Sequence, residues 1–173
     1  IKKLDEFIKS MLNYARVNRS EVIHEKINLT EMIESCIQEL EYLENFSSVK
    51  TLVKIENENI PFRSDPLRLR IIIGNVISNA YKYYNPLAKS YLKIHAIISP
   101  LVVEIMLTDN GIGIKKEYVD KIFDMFYRAT EKSQGSGLGM YIVKQAVDRL
   151  RGSVKVKSTF GKGTTMKIVV PNN

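Results

Sequence analysis

The sequence predicts an α/β sandwich: a mixed sheet of about five strands with helices packed on one face, preceded by one N-terminal helix. Three observations point there. Tyr91–Ile98 and Leu101–Leu107 carry strand patterning on either side of the turn at Ser99 and Pro100. Ser153–Ser158 and Thr164–Val170 alternate around a glycine-rich turn at residues 159–163, giving a second hairpin. Before and between these strands, apolar residues recur at helical spacing in two or three stretches, and such stretches bury a sheet on one side.

The first 22 residues place Ile1, Leu4, Ile8, Met11, Ala15 and Val22 at alternating steps of three and four, with Asn18 the polar exception. That is a heptad seam, and Phe7, Leu12 and Tyr14 widen it toward a helical bundle. Asn18, Arg19 and Ser20 then lead into the charged stretch Glu21–Lys26, a joint, so the division expected is 1–24 for the bundle helix and 25–173 for a globular domain. His24 beside Glu25 has the look of a phosphoacceptor pair, but it sits where the helix ends and reads as a solvated linker histidine.

Asn28 to Glu31 carries N-cap chemistry, and Met32, Ile33, Cys36, Ile37, Leu40 and Leu43 continue the helix to about Asn45. Thr51–Ile55 and Phe62–Arg63 read as short strands about the turn Glu56–Pro61. Asp65 and Pro66 open the next helix as N-cap and first helical residue. Leu69, Ile73, Val76, Ile77 and Ala80 form its buried face. On another face Asn75 and Asn79 are i, i+4 neighbours, with Lys82 and Tyr83 three and four residues farther on. Asparagine is a poor interior helix former, so two on one face carry a cost that a ligand could offset. An amide oxygen suits a water-rich Mg²⁺, a lysine suits a phosphate and a tyrosine ring can cover a base.

Residues 109–143 carry most of the chemistry. The run Leu101–Leu107 delivers Asp109 to a strand end, where Gly111 and Gly113 allow sharp turns and a carboxylate is left at the mouth of a cleft. A helical stretch KKEYVDKIF runs into DMFYRA, and a polar segment follows, ending in GSGLG. Gly135, Gly137 and Gly139 stand directly before a helical pattern of Leu138, Tyr141, Ile142 and Ala146, so free N–H groups and the positive end of a helix face outward, a place for phosphates. The spacing is not that of a dinucleotide fingerprint, and no Ser or Thr follows Gly161 and Lys162, so a P-loop is excluded too.

Composition narrows the class. With 173 residues at 45% hydrophobic, the chain can bury one sizeable core. No apolar run approaches the roughly 18 residues of a membrane span, and Ile1-Lys2-Lys3 opens no signal peptide. A cytoplasmic setting is expected; the missing initiator Met suggests a piece of a longer protein, and an inner-membrane anchor in that parent is compatible with it. The lone Cys36 excludes an internal disulfide, fits a reducing compartment and reads as a small core residue. A net charge of +7 and a pI near 9.4 would suit nucleic acid, a triphosphate or an acidic partner, but the cations are spread along the chain rather than clustered, which weighs against nucleic acid.

Four stretches in order then resemble the catalytic and ATP-binding domain of sensor histidine kinases, in the GHKL nucleotide-binding superfamily: NVISNAYKY at 75–83, DNGIG at 109–113, FDMFYR at 123–128 and GSGLG at 135–139. The resemblance covers about Leu29–Pro171, and Ile1–Val22 resembles the second helix of the dimerisation and phosphotransfer hairpin. It implies that Asp109 accepts a hydrogen bond from adenine, with Tyr83, Gly111, Gly113 and Phe126 around the base and lid. It implies Mg²⁺ on Asn79 with Asn75 beside it, phosphates met by Lys82 and by the segment Gly135, Gly137, Leu138 and Gly139, and Arg128 reaching the γ-phosphate. The family implies ATP and Mg²⁺ as cofactors, a homodimer through the N-terminal helix, and a response-regulator receiver domain as phosphoryl acceptor. Hydrolysing relatives, gyrase and the heat-shock chaperones among them, carry a glutamate where Asn75 stands; an amide takes no proton from water, so transfer to a histidine is favoured over hydrolysis.

The sequence departs from that pattern in places. Gly74 sits inside a helix, Tyr84 replaces a small hydroxyl residue, the lid at Ala129–Gln134 is short, and the phosphoacceptor histidine is expected upstream of Ile1. The short lid and Gly74 motivate an alternative, a degenerate or nucleotide-sensing module without kinase activity.

Overall fold

The computed structural model describes residues 2–127 and 136–173. In chain order these form α1 (Lys2–Arg19), β1 (Glu25–Lys26), α2 (Leu29–Gln38), β2 (Val49–Glu56), β3 (Arg63–Ser64), α3 (Pro66–Lys82), β4 (Ser90–Ile98), β5 (Val102–Asp109), α4 (Lys116–Val119), α5 (Gly139–Arg149), β6 (Ser153–Thr159) and β7 (Gly163–Pro171). Among the described residues, five strands make one mixed sheet in the order β2-β4-β5-β7-β6. Only β2 and β4 run parallel. The expected α/β sandwich is the fold observed.

Period-two patterning decides which face is buried. Leu92, Ile94, Ala96 and Ile98 of β4 are buried, as are Val103, Ile105 and Leu107 of β5 and Met166, Ile168 and Val170 of β7. Lys93 on the opposite face is exposed, and His95 is half-buried with Nε2 at 2.9 Å from Glu56 Oε1. From α3, Leu69, Ile72, Ile73 and Ile77 are wholly withdrawn from water, and α5 adds Ile142, Val143, Ala146 and Val147. Each such branched side chain is worth about 1.5–3 kcal/mol of burial, so the two helices are fixed firmly on the sheet.

Three helices are shorter than their patterns predict, the first being α1, which ends at Arg19 rather than near Val22. The one expected to reach Asn45 ends at Gln38, and the chain continues in i to i+3 turns in which Leu40 N–H donates to Ile37 and Leu43 N–H to Leu40. Those turns bury Leu40 and let the Asn45 amide donate to the Tyr81 carbonyl at 2.7 Å, so a tertiary bond replaces helical continuation. Likewise the helical reading of KKEYVDKIF survives only as the single turn of α4, followed by turns at Lys121, Asp124 and Tyr127. The joint after α1 holds an unexpected strand: β1 pairs with β3, tying Glu25 and Lys26 to the domain.

The N-terminal helix lies against α5 and α3. Val17 is fully buried there, and the ring of Tyr14 sits 5.9 Å from that of Tyr141. The heptad seam is largely outside this contact, since Leu4, Ile8 and Met11 remain exposed.

Candidate functional site

The site is built around α3. Asp65 begins the helix, its Oδ1 accepting from Arg68 N–H at 2.9 Å, and Pro66 follows in the first turn. From there the helix runs unbroken to Lys82, with Tyr83 as its C-cap. Asn75, Asn79, Lys82 and Tyr83 are all half-buried on it. The rise from residue 75 to 83 is about 12 Å, so a ligand touching both ends is elongated.

At the C-terminal end of α3, the loop after β5 closes on the helix. Ile112 N–H donates to the Tyr83 carbonyl at 3.0 Å. A β-carbon on Gly111 would stand 2.4 Å from that same carbonyl oxygen, so only glycine lets the loop come this close. Asp109, the last residue of β5, folds its Oδ1 back to accept from Gly111 N–H at 2.8 Å and from Thr164 N–H at 3.3 Å. Desolvation pushes its carboxyl above the ordinary value, and the two backbone N–H groups pull partly the other way. Asn110 ties the loop to the start of β4, its Oδ1 accepting from Tyr91 N–H at 2.7 Å and its amide donating to the Lys89 carbonyl. Gly113 lies beside Thr159, where Gly161 N–H donates to the Ile112 carbonyl and Ile114 N–H to Ser158 Oγ.

One to two turns earlier on α3, at Asn79 and Asn75, α5 begins against it. The Asn79 amide nitrogen is 2.9 Å from Met140 Sδ, which leaves the amide oxygen on the opposite side. Asn75 donates to the Ile71 carbonyl at 2.7 Å and turns its oxygen toward Gly139. The start of α5 has no side-chain cap, whereas α2 is capped by Asn28 and α3 by Asp65. Its first N–H groups are therefore donors without an internal acceptor, at the positive end of the helix. Leu138 is fully buried and contributes backbone alone, its N–H donating to Ser136 Oγ. Gly137 has φ +72°, and a β-carbon there would meet the Phe126 backbone at 2.8 Å. Phe126 stacks in turn on Phe7 of α1, ring centroids 6.5 Å apart.

The structure thus strings Asp109, Gly111, Tyr83, Lys82, Asn79, Asn75 and Gly139 along two loops and one helix, with Gly137 and Phe126 adjoining. Arg128, Gly135 and the lid at 129–134 lie outside the described residues. Thr164, Ser158 and Met140, which hold the Asp109 loop and Asn79, are not among the site residues expected from the sequence. The GKG turn at 161–163 was a usable signal, since a β-carbon on Gly163 would sit 2.1 Å from the Asp109 carbonyl oxygen. Of two cavities of about 480 and 410 Å³, one lies at the Ile98 end of the sheet and the other shares only Lys82 with the candidate site, between Tyr84 and Leu43 to Ser48; neither is lined by Asp109, Asn79 or Gly137. The candidate site rests on the hydrogen-bonding chemistry along α3 and its flanking loops, not on cavity volume.

No group of three or more His, Cys, Asp or Glu able to hold a metal occurs among the described residues. A cation in this groove would rest on an amide oxygen, a ligand's phosphates and water, which fits the hard, hydrated Mg²⁺. No helix among them is long and apolar enough to cross a membrane.

Comparison with known proteins agrees with this architecture. Residues 64–173 match the family described as histidine kinase-, DNA gyrase B-, and HSP90-like ATPase. Over 132 residues the chain is 41% identical to the autoinducer 2 sensor kinase/phosphatase LuxQ of Vibrio harveyi, covering 68% of this chain and 15% of LuxQ. The chain therefore spans only about a seventh of that relative's length. Among solved structures, the mycobacterial sensor histidine kinase MprB aligns over 87% of this chain and 99% of its own at 28% identity and a TM-score of 0.72. Full-length ShkA, solved in complex with AMPPNP, shares the fold at a TM-score of 0.81 and 21% identity, covering 97% of this chain and 35% of that one.

Proposed function

The chain belongs to the histidine kinase-, DNA gyrase B- and HSP90-like ATPase family, and we propose that it is the ATP-binding catalytic domain of a two-component sensor histidine kinase. In this reading it binds Mg·ATP and directs the γ-phosphoryl group to a histidine of the dimerisation hairpin, from which an aspartate of a response regulator takes it. One observation supports the reading: the loop carrying a partly desolvated carboxylate closes on Tyr83 at the C-terminal end of α3, while an uncapped helix start meets the same helix at Asn79 and Asn75, one to two turns earlier. An elongated ligand with an amino-bearing base at one end and anionic groups at the other matches that polarity.

The roles proposed are those the family resemblance implies, and the donors and acceptors present are of the right kind for each. Asp109 accepts from the exocyclic amine of adenine, and Tyr83 and Gly111 border the base. Lys82 and the N–H groups at Gly137 and Gly139 neutralise the phosphates, with Gly135 and Arg128 completing that end. Asn79 is the residue that would hold Mg²⁺, which when bound draws charge from the phosphate oxygens. Asn75 sits where hydrolysing relatives need a base and supplies none, which favours phosphoryl transfer over water attack. Positioning and charge neutralisation are what such a transfer asks of a protein. Division of the chain into a hairpin helix, 1–24, and a catalytic domain, 25–173, is part of the proposal, as is dimerisation through the exposed residues of α1.

The test supplies the chain with labelled ATP, Mg²⁺ and a polypeptide carrying the complete hairpin. Acid-labile phosphate on that polypeptide supports the kinase, whereas nucleotide binding without transfer favours a nucleotide-sensing module.

A further inference from the structure

The last turn of α1 is finished by the catalytic domain rather than by its own sequence. A helix leaves its last four carbonyls without partners, and chains commonly satisfy them with a Gly or Asn just past the end. Here the residues after Arg19 are Ser20, Glu21, Val22, Ile23 and His24, which offer neither. Among the described residues, only the Arg16 carbonyl is met locally, by Ser20. The Val17 carbonyl accepts from Arg68 Nη2 at 2.8 Å, and the Asn18 carbonyl from Arg149 Nη2 at 2.9 Å. The same Arg68 guanidinium goes on to the Ser20 carbonyl at 2.6 Å and the Glu21 carbonyl at 3.2 Å. Asp65 Oδ2 holds Arg68 Nη1 and also accepts from Ile23 N–H at 3.2 Å. Both side chains are buried, 0% exposed for Arg68 and 1% for Asp65.

We propose that Arg68, oriented by Asp65, is a positioning residue: it sets where α1 ends and the direction in which that helix leaves the catalytic domain. This rests on the kinase reading and deepens it. Arg68 lies two turns, about 10 Å, before Asn75 on the same unbroken helix. Whatever α1 carries is therefore registered against the nucleotide groove through one rigid element. The planar guanidinium serves carbonyls at positions 17, 20 and 21 together, a task a lysine ammonium on a flexible stem cannot reproduce. A cation of either kind would satisfy the helix dipole, so the fork geometry, not the charge, is the device.

The test uses Arg68→Lys, and a double variant, Asp65→Asn with Arg68→Met, that keeps the α3 cap and removes both buried charges. Spin labels at Leu12→Cys and Lys157→Cys, in a Cys36→Ala background, report the distance between α1 and the sheet; calorimetry reports Mg·ATP affinity. The expected result is a broadened distance distribution in both variants with ATP affinity within about twofold of the parent chain, since the groove is remote from the change. In the full-length kinase the same variants lower the autophosphorylation rate at saturating ATP by about tenfold or more, with KM for ATP unchanged, as misplacement without lost binding requires. An unchanged distribution, its restoration by lysine, or loss of ATP binding together with the broadening would each overturn the proposal. If the parent chain binds no ATP, the kinase reading fails, while the distance measurement still judges the clamp.

Discussion

The amide oxygen of Asn75 lies 2.8 Å from the point where a β-carbon on residue 139 would stand. On Gly111 the equivalent atom would meet the Tyr83 carbonyl at 2.4 Å, and that neighbour is backbone. The two glycines are thus tight for different reasons. A side-chain amide can swing away, and alanine in the first turn of α5 recovers up to about 1 kcal/mol of helix propensity. Gly139→Ala should therefore melt within about 1 kcal/mol of the parent. Gly111→Ala must displace the loop that carries Asp109, and should cost about 1–3 kcal/mol by chemical denaturation and weaken nucleotide binding.

Gly74 is a different case. A β-carbon there would meet only Cys36 Sγ, at 3.8 Å, which is ordinary contact. Nothing in the structure opposes a side chain, so the glycine leaves about 0.5–1 kcal/mol of helix stability unrealised. Gly74→Ala should raise the denaturant midpoint by that amount, with ATP affinity unchanged.

Burial pushes the Cys36 thiol from 9.0 up to about 11, with Arg70 opposing and Glu39 adding to the shift. A thiol whose folded pKa is raised stabilises the fold below its unfolded pKa and loses that contribution as pH climbs through the folded one. The window runs from about 9 to about 11. Thermal melts across it should fall more steeply for the parent than for Cys36→Ala, and native protein at neutral pH should resist alkylation until it opens.

The sheet and its buried face were legible because period-two patterning is local, and Leu92, Ile94, Ala96 and Ile98 sit where alternation puts them. The residues strung along α3 and its flanking loops were legible for the same reason: spacing within one helix fixes Asn75, Asn79 and Tyr83 on neighbouring turns. What could not be read were contacts that depend on distant segments. The helix through Cys36 stops early because Asn45 finds the carbonyl of Tyr81, 36 residues away. Docking of α1 through Tyr14 and Val17, beside the heptad seam and not along it, reflects arginines 51 and 131 residues downstream of their carbonyl partners. Thr164 and Met140 support the site from other elements; each directly follows a glycine motif, but which backbone or side-chain group it would meet depends on a strand or helix far away in sequence.

In the proposed function, Asp109 grips the purine. Its carboxyl is raised by desolvation, so below its unfolded pKa it stabilises the fold, and that contribution is lost as pH rises through the folded value. Asp109→Asn should then melt no lower than the parent at neutral pH. The most direct measurement is calorimetric titration of both proteins with Mg·ATP and Mg·GTP, with melting curves as the fold control. The parent should bind ATP, GTP should bind about 100-fold or more weakly because its carbonyl faces the carboxylate, and Asp109→Asn should show no measurable ATP binding. Equal ATP affinities for two equally folded proteins would contradict that role for Asp109.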